Sequence, residues 1–190
     1  TSIYHRHSYD SWRLLDLEGK EWKFVYDSSI RPERRAGGQM VPAETEYCTE
    51  MVSPKLTYEE MGKLQEVVRC LRRNGARVNP SCGMHAHVDA SNHTPRSLKN
   101  ALTIMYSKED ILFKALKVQT AREEEYCQKV RPAVLEKIRR MPNSNISMEK
   151  LKRVWYEGGD YSMDHYNWSR YFALNLHAVF SKGTLEWRCF

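Results

Sequence analysis

The chain has 190 residues, of which 41% are hydrophobic and 28% charged, and it carries a formal net charge of +6. This length predicts one domain with a buried core, and so ordinary a composition excludes wholesale disorder. The longest mostly apolar stretch, residues 171–180, is too short to span a bilayer, so no membrane partner is expected.

Cysteine spacing and the first residues indicate the compartment. The five cysteines are scattered singly and form no CxxC pair, which is typical of a reducing cytoplasm. Residues 1–6 are polar and charged and lack the apolar run of a secretory signal. The sequence therefore predicts a cytoplasmic protein.

Strands and turns dominate the first part of the chain. Residues 21–26 alternate polar and bulky side chains, which predicts a strand, and residues 27–29 predict a turn. Residues 31–42 are charged and glycine-rich and predict a loop. Residues 46–52 predict a second strand.

Capping signals mark the first helices. Residues 57–60 form a capping box, and the helix that follows stops at residues 74–75. Thr94 and Pro95 open a second helix, which residues 107–110 can restart and which is expected to run toward residue 126 or 127.

The remaining segments predict a mixed architecture. A histidine-bearing strand is expected over 77–90, and two helices over 131–140 and 147–157. Residues 169–180 and 184–190 predict a terminal hairpin. This order favours an α+β fold, in which a mainly antiparallel sheet packs helices on one face and leaves the other open.

The segment Gly-Met-His-Ala-His-Val-Asp at residues 83–89 is the most informative motif. On an extended strand His85, His87 and Asp89 project from one face, and the apolar side chains between them project from the other. This spacing places several ligands along one line without bending the backbone, as a metal or phosphate site on a sheet requires.

Other predicted strands also carry polar faces. If these faces coincide, one sheet face holds Glu50, His85, His87, Asp89, Asn175, His177, Glu186 and Arg188. Clustered carboxylates repel one another and need a cation among them. Carboxylate-rich sites with an occasional histidine suit Mg²⁺ or Mn²⁺.

Simpler interpretations stay open at this point. Each polar face can merely meet water, although that predicts Lys, Thr, Ser and Glu rather than recurring histidine. His85, His87 and a third ligand such as His177 would also suit a zinc hydrolase. The basic stretches 69–77 and 129–140 would suit a non-catalytic nucleic-acid-binding module, but they lack the interleaved aromatic residues of single-strand binders, so this partner is not favoured.

An ordered set of motifs resembles the amidoligase family over nearly the whole chain. The motifs are DSSI at 27–30, EMVSP at 50–54, NPSCGMHAHVD at 79–89, Arg122 with Tyr126-Cys127, RYFALNLH at 170–177 and GTLEWR at 183–188. That family is similar to glutamine synthetase and γ-glutamylcysteine ligase, within the carboxylate-amine ligase superfamily.

The resemblance implies a curved, mainly antiparallel sheet, a partial barrel with helices on its convex face. Its concave face would bind ATP with Mg²⁺ or Mn²⁺. The implied reaction is ATP-dependent amide formation, in which a carboxylate attacks the γ-phosphate and an amine then displaces phosphate from the acyl phosphate. The implied partners are small-molecule or peptide carboxylates and amines.

The resemblance also implies roles for particular residues. The expected metal ligands are Glu50, His85, Glu186 and Asp27, although Asp27 can instead cap a turn at its strand end. The catalytic group would comprise Arg188, His87 and Glu186, with Glu50, His85 and Arg188 serving the nucleotide. Substrate would be bound by Arg122, through a bidentate carboxylate contact, and by Asn175 and His177.

The chain departs from the family pattern near both ends. The family usually opens with a strand carrying a Glu-x-Glu pair, which residues 14–19 do not match, and its usual helices after residues 186–188 are missing. We therefore expect residues 1–190 to form one amidoligase-like catalytic domain that lacks its first strand and its C-terminal helices, with weak metal binding.

Overall fold

The computed structural model describes residues 11–157, 159, 161–164 and 166–190. Residues 1–6, from which the sequence predicts the compartment, lie outside the described residues. Its strands are β1 (Trp12–Leu15), β2 (Glu21–Tyr26), β3 (Glu33–Ala36), β4 (Gln39–Pro42), β5 (Thr49–Val52), β6 (Ala86–Asp89), β7 (Leu174–Asn175) and β8 (Thr184–Trp187). Its helices are α1 (Met61–Arg73), α2 (Pro95–Leu116), α3 (Thr120–Glu125), α4 (Pro132–Arg140), α5 (Met148–Trp155) and α6 (His177–Lys182).

The chain divides into two compact units, one up to Cys82 and one from Gly83 to Phe190. The first contains an antiparallel sheet in the order β1-β2-β5 and the separate hairpin β3-β4. The second contains an antiparallel sheet in the order β6-β8-β7. The mixed class with antiparallel sheets is as predicted. The sheets are small, and those of the described residues do not close into a barrel.

The loop predicted over 31–42 is wrong, because this segment forms the β3-β4 hairpin. Gly37 and Gly38 sit at its turn with φ of 57° and 83°. Two consecutive residues with positive φ match the right-handed twist of the flanking strands, and glycine adopts that conformation without steric cost.

The strand predicted over 46–52 is correct only in its second half. Thr45–Tyr47 form a 3-10 turn, and β5 begins at Thr49. The Cys48 side chain is buried, and its Sγ donates to the Ile30 carbonyl at 3.3 Å. Glu46 therefore does not share a strand face with Glu50.

Capping signals were accurate in both units. The capping box of Thr57 and Glu60 is formed ahead of α1, and α1 ends before Asn74. Thr94 accepts a hydrogen bond from the Ser97 backbone at the start of α2. The predicted run to residue 127 is broken, because Lys117 adopts a left-handed conformation and α3 starts afresh.

The core of the second unit lies among α2, α4, α5 and the strands. Its fully or nearly fully buried members include Leu98, Leu102, Met105, Phe113, Val134, Leu135, Ile138, Leu151, Trp155, Leu174 and Leu185. On α2, Leu98, Leu102 and Met105 recur at helical spacing and are all buried. None of the helices in the described ranges combines the length and apolar character required to cross a membrane.

Two predicted strands are shorter than expected. The one over 77–90 shrinks to β6, because Asn79 accepts hydrogen bonds from the Ser81 backbone and hydroxyl and turns the chain. The one over 169–180 is replaced by a 3-10 turn at Trp168–Tyr171, the two-residue β7 and α6.

Candidate active site

A polar row crosses the three strands of the second unit's sheet. His87 pairs with Glu186 across β6 and β8, and Glu186 pairs with Asn175 across β8 and β7. Cross-strand partners project from the same face, so the three side chains lie side by side. The side chains of His85 and Arg188 also reach Glu186. The structure thus brings together five of the residues that the sequence selects.

Glu186 is the centre of this face and is only 4% exposed. Its Oε2 accepts a 2.6 Å hydrogen bond from Asn175, and its Oε1 accepts one of 2.7 Å from Arg188 Nη1. Burial alone would raise the pKa of Glu186, but the hydrogen bond from His87 and the charge of Arg188 outweigh it and hold that pKa well below its usual range. Glu186 is therefore an ionised, buried carboxylate.

Arg188 is equally buried and is held at more than one point. Its Nη1 binds Glu186, its Nε donates to the Tyr126 carbonyl at 3.3 Å, and its guanidinium lies 5.7 Å from the Tyr171 ring centroid. A guanidinium fixed in this way needs little reorganisation to meet an anionic group.

The two histidines approach the same carboxylate oxygen. His85 Nδ1 lies 3.7 Å and His87 Nε2 lies 3.4 Å from Glu186 Oε1. Partial burial, followed by the charge of Arg188, lowers the pKa of His85 to about 4, so its imidazole is neutral at neutral pH. His87 is exposed, and its Nδ1 is 2.8 Å from the Thr184 hydroxyl, which fixes the plane of the ring.

Positive charge is concentrated around this face. After burial, Arg188 and Arg122 both act to lower the pKa of His85, and Arg188 acts in the same way on Arg170. Glu186 is the buried carboxylate that faces these groups. These positive charges repel one another, and solvent screens them little because they are poorly exposed. An anionic ligand would reduce that repulsion, so its binding would be favoured here.

A small pocket adjoins Glu186 on the β7 side. Its lining comprises Arg170, Asn175, His177, Ala178, Ser181, Lys182 and Glu186. The pocket therefore lies between the polar face and α6.

His177 differs from its sequence prediction. It was expected to share a strand face with Asn175, but it begins α6 instead. The residue is 3% exposed, with Nδ1 2.6 Å from the Tyr156 hydroxyl and Nε2 3.1 Å from the Asp164 carbonyl. Both ring nitrogens thus have partners within the protein.

Arg122 lies on α3, and its guanidinium is 5.9 Å from the Tyr126 ring centroid. Its Nη2 is buried and has no hydrogen-bond partner among the residues that the structure describes. A buried donor left without a partner is uncommon in native proteins and calls for an explanation.

Asp27 and Glu50, the other predicted metal ligands, belong to the first unit. Asp27 Oδ1 accepts from the backbone and the hydroxyl of Ser29, at 2.9 and 2.7 Å, so this residue caps the turn after β2. Glu50 is exposed on β5, opposite Val25 of β2. Their predicted role in binding a metal stays a prediction.

The described residues provide metal donors but no complete cage. Across the described ranges, no three His, Cys, Asp or Glu side chains are placed to hold one ion. The two imidazoles lie close to Glu186 Oε1 itself, the oxygen that also accepts from Arg188, and so they are partners of that carboxylate. Mg²⁺ is usually bound by one or two carboxylates together with substrate phosphates and water, so this donor set fits an ion that arrives with a nucleotide better than one in a closed protein site.

Several residues of the site were given no role in the sequence analysis. Thr184 positions His87, the Tyr126 carbonyl holds Arg188, and Arg170 lines the pocket. The alternation of β8 was a usable signal for Thr184, which is two residues before Glu186. A backbone carbonyl contact such as that of Tyr126 leaves no signature in the sequence.

The comparisons with known proteins agree with the motifs. A family model described as "Putative amidoligase enzyme" matches residues 1–190, the whole chain. This chain belongs to the amidoligase family, which confirms the resemblance and supports a ligase enzyme. No curated protein and no solved structure matches it.

Proposed function

We propose that this chain is an ATP-dependent carboxylate-amine ligase that forms an amide bond through an acyl phosphate. Family membership supports a ligase. The observation that carries the proposal further is the ionised, buried Glu186, held by Arg188 beside two histidines and surrounded by guanidinium charge. Such a face suits the phosphate and carboxylate groups of this reaction.

The proposed reaction has two steps. An oxygen of the substrate carboxylate attacks the γ-phosphorus of ATP, the bond to the bridging oxygen breaks, and ADP leaves. The amine nitrogen then attacks the acyl carbon, phosphate leaves, and the nitrogen gives up a proton. Both steps gather negative charge, so neutralising that charge is the main contribution expected from the protein.

We assign the neutralising and proton-handling roles to residues of the polar face. Arg188, fixed by Glu186 and the Tyr126 carbonyl, would contact the transferred phosphoryl group. His87 is exposed on the same face and would accept the proton of the amine. Arg122 would bind the substrate carboxylate.

The neighbouring pocket has room for about one water molecule, so it would border a bound substrate. Asn175 and His177 line it, which keeps both among the proposed substrate-binding residues. Asn175 also donates to Glu186 and would thereby couple the pocket to the carboxylate. Glu186 and His85 would hold Mg²⁺ or Mn²⁺ together with the nucleotide, and that ion would supply further neutralisation of phosphate oxygens.

Neither of the other functions that the sequence leaves open is favoured. A zinc hydrolase needs a third ligand beside His85 and His87, and His177 already has partners on both ring nitrogens. A nucleic-acid-binding module finds no support in the family match.

ADP release tests the proposal. The chain is incubated with ATP, Mg²⁺ or Mn²⁺, and pooled carboxylates and amines, and acid-dependent ADP is measured. Glu186→Gln and His85→Ala should each abolish the acid-dependent signal. The matched control is Glu136→Gln, whose exposed carboxylate pairs with Arg140 on the surface of α4. Undiminished turnover in both site variants would overturn the assignment.

A further inference from the structure

Gly83 lies directly against the guanidinium of Arg122. A Cβ added at Gly83 would overlap Arg122 Nη2 and Cζ and would lie 2.8 Å from Nη1. Gly83 does not have a positive φ, so its backbone would accept an alanine. The Arg122 guanidinium therefore occupies the space that a side chain at position 83 would take, and the backbone conformation does not limit this position.

The same guanidinium lies at the edge of the polar face. Gly83, which it contacts, lies two residues before His85 in the chain. The backbone carbonyl of Tyr126, four residues after Arg122, accepts from Arg188. The Arg122 guanidinium thus lies near both Gly83 and the ring of Tyr126, the residue whose carbonyl anchors Arg188.

Packing against Gly83 limits the space available to Arg122 Nη2. Its Nη2 has no hydrogen-bond partner among the described residues, although that atom is buried. Leaving a charged donor unsatisfied costs free energy, and native proteins accept that cost mainly where a ligand, ion or water completes the set.

We propose that Gly83 is a positioning residue, whose missing side chain forms a slot that fixes Arg122 beside His85 so that it binds an oxyanion. The planar guanidinium presents paired donors that match the two oxygens of a carboxylate or a phosphate. That this oxyanion belongs to a ligase substrate rests on the proposed function. The slot itself rests only on the packing of Gly83 and Arg122.

Oxyanion binding by the whole chain tests the proposal without turnover. The probes are glutarate, for a carboxylate, and inorganic phosphate, each measured by calorimetric titration. Gly83→Ala, Arg122→Ala and the double variant are compared with the native chain. Because the overlap involves the far end of a flexible side chain, alanine at position 83 should displace the guanidinium and leave the fold in place.

The expected result is non-additive. Gly83→Ala and Arg122→Ala should each raise the Kd of one probe by about tenfold or more, as expected for a lost charged hydrogen bond. The double variant should bind no more weakly than Arg122→Ala, since residues that act through one contact couple in this way. The probe that is affected identifies the oxyanion. Gly62→Ala is the control, because a Cβ there meets no atom within 4 Å.

The proposal would be overturned if Gly83→Ala bound both probes with the Kd of the native chain, or if the affinity losses of the two single variants added up in the double variant. It would also be overturned if the native chain bound neither probe. If acid-dependent ADP release were still observed with one of these results, the ligase proposal would stand and the Gly83 proposal would be wrong. If the variants changed oxyanion binding as expected but no ADP were released, the Gly83 proposal would stand and the ligase proposal would be wrong.

Arginine NMR provides a readout that does not depend on the folding of Gly83→Ala. In the native chain, the Nε–H signal of Arg122, assigned by its loss in Arg122→Ala, should be resolved and slow to exchange with solvent. In Gly83→Ala the Nε–H signal of Arg122 should move to the chemical shift that is typical of mobile arginine side chains. A signal already averaged in the native chain would contradict a guanidinium fixed by the slot.

Discussion

Arg188 Nη1 donates a 2.7 Å hydrogen bond to Glu186 Oε1, and both side chains are only 5% exposed. The two residues are separated by one position on the same strand edge, so their side chains leave the same face. Because both ions are buried and have lost their hydration, each one is stabilised mainly by the opposite charge of the other.

Breaking this pair should cost stability as well as function. Glu186→Ala leaves the Arg188 charge without its carboxylate, and the free energy of unfolding should fall by about 3–5 kcal/mol. Urea denaturation measures the change. Glu136→Ala, which breaks the exposed pair with Arg140, should cost no more than about 1 kcal/mol. Equal losses in the two variants would show that the Glu186 pair is not a buried one.

Glu109 on α2 should make stability depend on pH. It is 1% exposed, and burial raises its pKa from 4.5 to about 7 in spite of the opposing charge of Lys129. The folded protein then binds a proton that the unfolded chain releases, so stability should decrease as pH rises from about 5 to about 8, by a few kcal/mol at most.

Glu109→Gln removes this titration while keeping the shape of the side chain. The pH dependence over that range should flatten, and the variant should be the more stable protein at the upper end. Denaturation curves at both pH values give the comparison. An unchanged slope in the variant would mean that Glu109 does not titrate with folding.

His85 should have the opposite dependence. Its pKa falls from 6.5 to about 4 on folding, so the unfolded chain takes up the proton first and stability should decrease as pH drops through this interval. NMR titration of the imidazole, assigned through His85→Ala, should show a neutral ring at about pH 6 in metal-free protein. A charged ring at that pH would contradict the buried setting beside Arg188.

The β3-β4 hairpin should depend on its glycines. A side chain at Gly38, where φ is 83°, should destabilise the turn by about 1–2 kcal/mol, so Gly38→Val should increase amide exchange along β3 and β4. Gly62→Ala, in the first turn of α1, should instead be neutral or stabilising by up to about 1 kcal/mol. Identical exchange in native protein and Gly38→Val would refute the turn assignment.

Local signals predicted the helices well, since caps act within a few residues. The capping box at Thr57 and the Thr94-Pro95 start each lie where the sequence placed them. The Gly37-Gly38 hairpin was missed, although paired glycines between short strands are a recognised hairpin signal. The charge of the flanking residues favoured a loop because β3 and β4 bury little apolar surface.

Strand lengths were overestimated where tertiary contacts decide the outcome. Residues 169–180 have the apolar character of a strand, but the chain turns into α6 after Asn175, and His177 binds Tyr156. Alternation correctly placed His87, Glu186 and Asn175 on one face, because the side-chain period of a strand is local. The contacts of Arg122 with Gly83 and of Arg188 with Tyr126 join distant segments, and no local pattern encodes them.

Trapping of the acyl phosphate tests the central claim most directly. Hydroxylamine replaces the amine in the mixture of ATP, divalent ion and pooled carboxylates, and it converts an acyl phosphate into a hydroxamate that ferric ion reveals. We predict hydroxamate formation that requires ATP and acid, that accompanies ADP release and that disappears in Glu186→Gln. ADP release without hydroxamate, or equal hydroxamate from native protein and Glu186→Gln, would contradict a ligase site on the β6-β8-β7 face.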